Sequence, residues 1–493
     1  QYIQIRIDMN ISELNPKRVW KHFYSLTQIP RPSKKEEKAI LFLEKFGKDL
    51  GLETIRDGIG NIIIRKPATP GMENRKGIIL QAHIDMVPQK NSDKVHDFEK
   101  DPIQPRIVDG WVYATGTTLG ADNGMGIAVA MAVLEAKDLV HGPVEALFTV
   151  DEETGMTGAR MLKPGILKGD ILVNLDSEDE GELYVGCAGG LDATATFEYK
   201  TEKTPSNLSG YKLSVTGLKG GHSGMDIVLG RGNANKVMVR VLLPLIEKLG
   251  ARLSSIEGGS LRNAIPREAF AYFAMPAANE KTAKEIVSKH LAELRSELSA
   301  HEPTLDIVLE SASLPAELID ADTAHKSVLA VYGCPNGVER MSDAMPGLVE
   351  TSNNLAIVKS EAGKIQVKCL MRSSVDSAKD ILAQSLASVF VLAGAKVEFT
   401  GGYPGWKPNM DSDILATMKV VYKDLYGNEP EVKAIHAGLE CGILGGIYPN
   451  WDMISCGPTI RSPHSPDERV NIDTIEKWWN YVVKVLEKAP VKK

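Results

Sequence analysis

The spacing of apolar positions changes twice along the chain, and the changes divide it. From residue 1 to about 188, short apolar runs alternate with helix-length stretches. Ser33 and Glu36 have the spacing of a capping box ahead of AILFLEKF, and Gly51 follows as a stop, so a helix is predicted there. NIIIR at 61–65, GIILQAHIDMV at 77–87, VEALFTV at 144–150 and DILVNL at 170–175 are short apolar runs that predict strands. MGIAVAMAVLEAKDL, rich in alanine and valine, predicts a buried helix after residue 122. Strands alternating with helices imply an α/β domain, with a mainly parallel sheet and helices on both faces.

Near CAGGLDATATFEYK, at 187–200, the character shifts. YKLSVTGL, REAFAYFAM and KIQVKCLMR alternate apolar with polar positions, and helix-like stretches fall near 233–249 and 281–299. That is an α+β pattern with antiparallel strands. Strand and helix signals then return in AKVEFTGGYPGW, near 412–426, in VKAIHAGLECGIL and DMISCGP, and from about 472 to 488. The expected organisation is a catalytic α/β domain in two parts, 1–188 and 401–493, interrupted by an inserted α+β lid domain at 189–400.

Composition narrows the function classes. A chain of 493 residues with 43% hydrophobic and 25% charged positions is globular and long enough for more than one domain. A net charge of −7 without a basic stripe argues against nucleic-acid binding. No apolar run reaches the roughly 18 residues of a membrane span. QYIQIRIDMNISELNPKRVW lacks the basic region, apolar core and small-residue cleavage site of a secretory signal. Cys187, Cys334, Cys369, Cys441 and Cys456 form no close pair, which fits reduced thiols and a cytoplasmic protein. With no cysteine zinc motif, any zinc must rest on histidine and carboxylate.

Such side chains recur just after the apolar runs: His83 and Asp85, Asp122 in GADNG, Glu152 and Glu153 in TVDEETG, Asp176 in VNLDSE, and His464 in SPHSPDE. Open α/β sheets bind ligands at the carboxyl ends of their strands. Two imidazoles and several carboxylates converging there suit a pair of divalent cations. His83 and Asp85, two apart, point the same way from a strand, so Asp85 can hold the second ring nitrogen of a ligating His83. Read alone, the pair fits equally a solvated histidine and a capping aspartate. Asp122 among glycines suits either a carboxylate bridging two cations or the N-cap of the next helix. Glu152 and Glu153, neighbours at a strand end, should point opposite ways, one ligating and one acting as a base.

Together HIDMVPQK, GADNGMGIA, DEETGMTGA, NLDSED, GGHSGMDI, RNAIP and SPHSPDE resemble the di-zinc exopeptidase family that includes carboxypeptidase G, peptidase T and the carnosinases. Within it the likeness is greatest to bacterial dipeptidases that cleave Xaa-His peptides, and HAGLECGIL at 436–444 is a further feature of that subgroup. The resemblance implies two divalent metal ions, zinc first, with cobalt or manganese as alternatives. It implies that Asp122 bridges them, that His83 and Asp176 complete one set of ligands, and that Glu153 and His464 complete the other. Glu152 matches the general base and Asp85 the carboxylate behind His83, and the bond after Asp122 is expected to be cis. His222 matches a residue that polarises the scissile carbonyl, and Asn263 and Arg372 match substrate-binding positions. Arg372 suits a peptide's terminal carboxylate, with a surface arginine as its alternative. Glu440 is assigned to the substrate's amino group on charge alone. Dipeptide substrates and a homodimer joined through the lid follow from the same likeness. The alternatives are a tripeptidase, an N-acyl amino acid deacylase, and a protein that binds peptide or metal without turnover.

Overall fold

A computed structural model describes residues 10–492; the opening residues on which the signal-peptide reading rests lie partly outside them. The chain separates into two units, one of residues 1–186, 408–434 and 439–493, the other of residues 187–407 and 435–438. The inserted unit is closed by paired hydrogen bonds between Cys187 and Trp406, 3.0 and 2.9 Å long. Ala188 N–H reaches the carbonyls of Ile435 and Ala437, which draws that short segment in as well.

The first unit is built on an eight-stranded sheet. Four strands at its centre run parallel: Val144–Thr149, Ile78–His83, Ile171–Asn174 and Asp452–Ser455. Glu53–Arg56 and Ile62–Lys66 extend one side antiparallel, and Glu182–Cys187 joins the other side antiparallel. Every residue of the first three central strands is buried, as expected of parallel strands covered on both faces. In this register His83 lies beside Thr149, and Gln81 beside Asn174. The loops after those strands therefore leave the sheet at one edge. The predicted buried helix spans Ala121–Glu135, and its residues from Asn123 to Leu134 are all buried.

Glu37–Asp49 is helical as predicted, and Gly51 follows it in the left-handed region. The capping box does not form. Glu36 occupies the cap position without a side-chain bond to the helix. Ser33 Oγ instead donates to Asp85 Oδ2 at 2.8 Å, and Glu36 Oε1 accepts the Asp151 N–H at 2.9 Å. A motif that reads as local is used to hold two distant loops.

The inserted unit carries a nine-stranded antiparallel sheet. Two long strands, Val349–Glu361 and Lys364–Ser373, form a hairpin, and Gly189–Glu198 pairs with the second. Four helices of this unit share its apolar core: Ala234–Leu249, Glu280–Glu297, Ala321–Gly333 and Asp376–Leu392. The sequence pattern predicted only the first two. Ala321–Gly333 had a readable start, for Asp320 accepts the Thr323 N–H at 2.9 Å. Lys17–Thr27 of the first unit was also missed, although Val19, Trp20, Phe23 and Leu26 give it a buried stripe.

Phe148 is fully buried on the central strand Val144–Thr149. Phe148→Ala is expected to lower stability by about 3–5 kcal/mol, read as a lower urea midpoint at unchanged slope.

Candidate metal centre

His83 ends its strand, buried, with each ring nitrogen facing a different partner. Nε2 lies 3.0 Å from Asp122 Oδ1 and 3.4 Å from Asp176 Oδ1. Nδ1 meets Asp85 Oδ1 at 3.2 Å. Asp85, also buried, accepts the Glu152 N–H on Oδ1 at 2.9 Å and the Glu153 N–H on Oδ2 at 3.2 Å. One carboxylate thus orients the imidazole and fixes the next loop.

Asp122 sits in the first turn of its helix, but the cap position belongs to Gly120, at φ 73°. The Asp122–Asn123 bond is cis. The two oxygens of Asp122 face two imidazoles, Oδ1 towards His83 Nε2 at 3.0 Å and Oδ2 towards His464 Nε2 at 3.1 Å. His464 Nε2 is also 3.1 Å from Glu153 Oε2.

Glu152 and Glu153 are not in extended chain, so the strand argument for opposed side chains fails. Asp151 adopts a left-handed φ of 53°, and Glu152–Gly155 forms one helical turn. Asp151 binds the hydroxyls of Thr154 and Thr157, so the third carboxylate of the run stabilises the turn. Glu440 begins the helix Glu440–Ile447 and is buried. Its Oε2 accepts from Gln81 Nε2 at 2.6 Å and Thr149 Oγ1 at 2.9 Å.

Crowding of acids in a dry site dominates the electrostatics. Burial, reinforced by Asp176, Glu440 and Glu153, drives the Glu152 carboxyl well above its ordinary range. Burial likewise lifts Asp176 and Glu440 to about 7. Burial opposes ionisation of Asp85 and Asp122 too, yet bonds from the imidazoles bring Asp85 down to about 2 and lower Asp122 as well. Bonds to Asp122 and Glu153 push His464 up to about 11.

The residues suit divalent cations. Donor atoms of His83, Asp122 and Glu153 lie within 4.8 Å of one another. Glu153 Oε1 and Glu440 Oε1 are buried with no hydrogen-bond partner among the described residues. Two ligands of a tetrahedral ion with bonds of about 2.0–2.1 Å sit about 3.3 Å apart, close to the nitrogen–oxygen separations here. A donor set of imidazole and carboxylate matches zinc, cobalt or manganese.

His222, Asn263 and Arg372 belong to the inserted unit. His222 Nδ1 accepts the N–H groups of Gly224 and Met225, each at 3.1 Å. In the neutral ring this leaves the proton on Nε2. Burial and Arg372 lower the His222 pKa, so the ring stays neutral. Arg372 is buried, which removes the surface-arginine alternative. It donates only to neutral hydroxyls, Ser223 Oγ and Tyr403 OH, at 3.3 Å, and pairs with no carboxylate among the described residues. Asn263 is exposed, and its carbonyl accepts the Ser223 N–H at 2.8 Å.

Sequence reading missed two buried charges beside the centre. Arg31 donates to the carbonyls of Ile84, Asp85 and Gly120, and Glu468 accepts the N–H groups of residues 119 to 122. Glu468 lies within SPHSPDE, so its company was a signal. Arg31, in IPRPS, offered none.

The sequence profile of peptidase family M20/M25/M40 matches residues 79–488. The chain belongs to this family. It is therefore a metallopeptidase, of a class that works with divalent metal ions. It is 46% identical over 482 residues to the cytosol non-specific dipeptidase of Escherichia coli strain K12, covering 98% of this chain and 99% of that one. The crystal structure of aminoacylhistidine dipeptidase from Vibrio alginolyticus superposes with a TM-score of 0.94 at 49% identity, covering 98% and 99% of the two chains. The aminopeptidase PepT of Bacillus cereus shares the fold, with a TM-score of 0.57 at 18% identity, over 97% of this chain and 99% of that one. The α/β domain with an inserted lid is thus the architecture of the family. No described helix is long and apolar enough to cross a membrane.

His83→Ala and His464→Ala are each expected to lower the metal content of purified protein by at least about one ion per chain. Plasma-emission analysis checks this, and unchanged stoichiometry would remove these imidazoles from the ligand set.

Proposed function

We propose that the chain is a dipeptidase for Xaa-His-type substrates, working with two divalent cations held by His83, Asp122, Glu153, Asp176 and His464. The observation that carries this is the Asp122 carboxylate, whose two oxygens face the Nε2 atoms of two separate histidines. A carboxylate with one oxygen towards each imidazole would let Asp122 serve as a ligand to two cations. Zinc is the first choice, with cobalt or manganese as substitutes.

Cations bound there lower the pKa of water towards neutrality and polarise a peptide carbonyl. The protein's own groups do the rest. Glu152, in its ionised form, takes a proton from the attacking water. It then delivers that proton to the departing amine nitrogen. Asp85 fixes the His83 tautomer and, through the N–H groups of Glu152 and Glu153, the position of the base. His222, with its proton on Nε2, donates to the scissile carbonyl oxygen as negative charge grows there.

Arg372, buried and without an acidic partner, takes the peptide's terminal carboxylate in a bidentate pair. Asn263 contacts the peptide beside it, and Glu440 takes the free amino group. The Xaa-His preference is supported by the aminoacylhistidine dipeptidase of Vibrio alginolyticus. Asp rather than Glu at position 176 resembles the family's dipeptidases and aminopeptidases more than its aminoacylases. The reading includes a cytoplasmic homodimer joined through the inserted unit, acting on dipeptides and on neither nucleic acid nor membrane.

Glu152→Gln is expected to keep both cations and lose about 10²–10⁴-fold in kcat, read by steady-state kinetics alongside metal analysis. Full activity in that variant would take Glu152 out of the proton path. For the reaction itself, Ala-His and a panel of other dipeptides are assayed before and after chelation and with zinc restored. Hydrolysis that is lost on chelation and regained with zinc is expected, with histidine favoured at the carboxyl side. Turnover indifferent to chelator, or confined to tripeptides or N-acyl amino acids, would overturn the reading.

A further inference from the structure

A carboxylate and a guanidinium, both buried, grip the backbone that carries Asp122. Glu468 Oε2 accepts the N–H groups of Leu119 at 2.7 Å and Gly120 at 3.0 Å. Its Oε1 accepts those of Ala121 at 2.8 Å and Asp122 at 3.2 Å. Four consecutive backbone donors thus converge on one side chain. The first N–H groups of a helix lack intrahelical partners, and here they lie away from water. From the other side, Arg31 Nη2 donates to Gly120 O at 2.6 Å and Nη1 to Ile84 O and Asp85 O at 2.7 and 3.1 Å. The Gly120 residue is therefore held by its N–H and its carbonyl at once. A Cβ at Gly120 would come within 2.6 Å of Arg31 Nη2, and its φ of 73° also favours glycine.

The two charges are opposite, and each is matched through backbone dipoles, which is how buried charges are tolerated. Arg31 joins this loop to the loop of His83 and Asp85. Glu468 joins it to His464, four residues earlier in the same segment. So the three loops that carry His83, Asp122 and His464 share one clamp.

We propose that Glu468 is a positioning residue for metal binding, holding residues 119–122 so that Asp122 faces both histidines before any cation arrives. This inference rests on the reading of Asp122 as the shared ligand. Arg31 completes the clamp from the opposite side.

The test uses full-length, metal-free enzyme and zinc alone, with affinity measured by competition against a chromogenic chelator. Glu468→Gln replaces one accepting oxygen with an amide that cannot accept, so donors face a donor. It is expected to weaken zinc binding about 10- to 100-fold, the usual effect of losing a residue that orients ligands. The control is Glu302→Gln in the inserted unit, where Glu302 is also buried and caps the N–H groups of Lys219 and Gly232 at 2.8 and 2.9 Å. It removes a comparable structural bond and should leave zinc affinity at the parent value. If Glu468→Gln binds zinc as the parent does, or no worse than Glu302→Gln, the proposal is wrong. Asp122→Asn separates the two ideas: retained parent affinity there would overturn the shared-ligand reading itself. Should Glu468→Gln not fold, hydrogen exchange on the parent decides. Slow exchange of the amides of residues 119–122 in the metal-free protein supports a loop built in advance. Fast exchange that slows only when zinc is added would show that the cation builds the loop, and would overturn the proposal.

Discussion

Negative charge concentrated at one edge of a parallel sheet is the constraint on which the rest of the structure depends. Asp122, Glu152, Glu153, Asp176 and Glu440 meet there, in surroundings dry enough to raise several of them far above ordinary carboxyl values. Such a group of acids repels itself unless positive charge stands between its members. His83 faces three carboxylates, Asp85, Asp122 and Asp176, and His464 faces two, Asp122 and Glu153. On the proposed reading, divalent cations held there would supply the positive charge that these acids need, and with it the chemistry.

The fold serves this constraint through register. Parallel pairing sets His83 beside Thr149 and brings the loops that follow the central strands to a common edge. Around that edge, short polar side chains hold loops instead of capping their own elements. Ser33 and Glu36 lie ahead of a helix yet bind Asp85 and the backbone of Asp151. Gln81 and Thr149, inward-facing on central strands, hold one oxygen of Glu440 and leave the other without a bond. Glu440 is thus fixed by neutral donors through one oxygen alone.

In the inserted unit the polar side chains have a different task. Arg372 is buried with hydroxyl partners alone, and His222 is locked in one tautomer by two backbone N–H groups. On the proposed reading, this guanidinium and this neutral ring are groups prepared for a ligand rather than for each other. His436, quoted as part of HAGLECGIL, is also buried there and bonded to Ser352 Oγ at 2.7 Å. Burial, with Arg372 nearby, lowers it to about 3, so this ring is neutral.

By itself the sequence determined the α/β and α+β character of the two units, the strand ends that bear chemistry, and the residue types present there. Those properties are local: periods of two and 3.6, glycine beside aspartate, and runs of acids after apolar strands can be read within a short window. Long-range partnership could not be read in this way. The apparent capping box of Ser33 and Glu36 is satisfied by loops about 50 and 115 residues away. Opposed strand positions for Glu152 and Glu153 gave way to a helical turn, because Asp151 takes a left-handed φ that three-residue patterns do not reveal. Arg31 and Glu468 are separated by most of the chain, and only folding brings both to the peptide of Gly120. Tertiary structure alone decided which buried charges pair, since that depends on where backbone dipoles end, not on which residues stand next to one another.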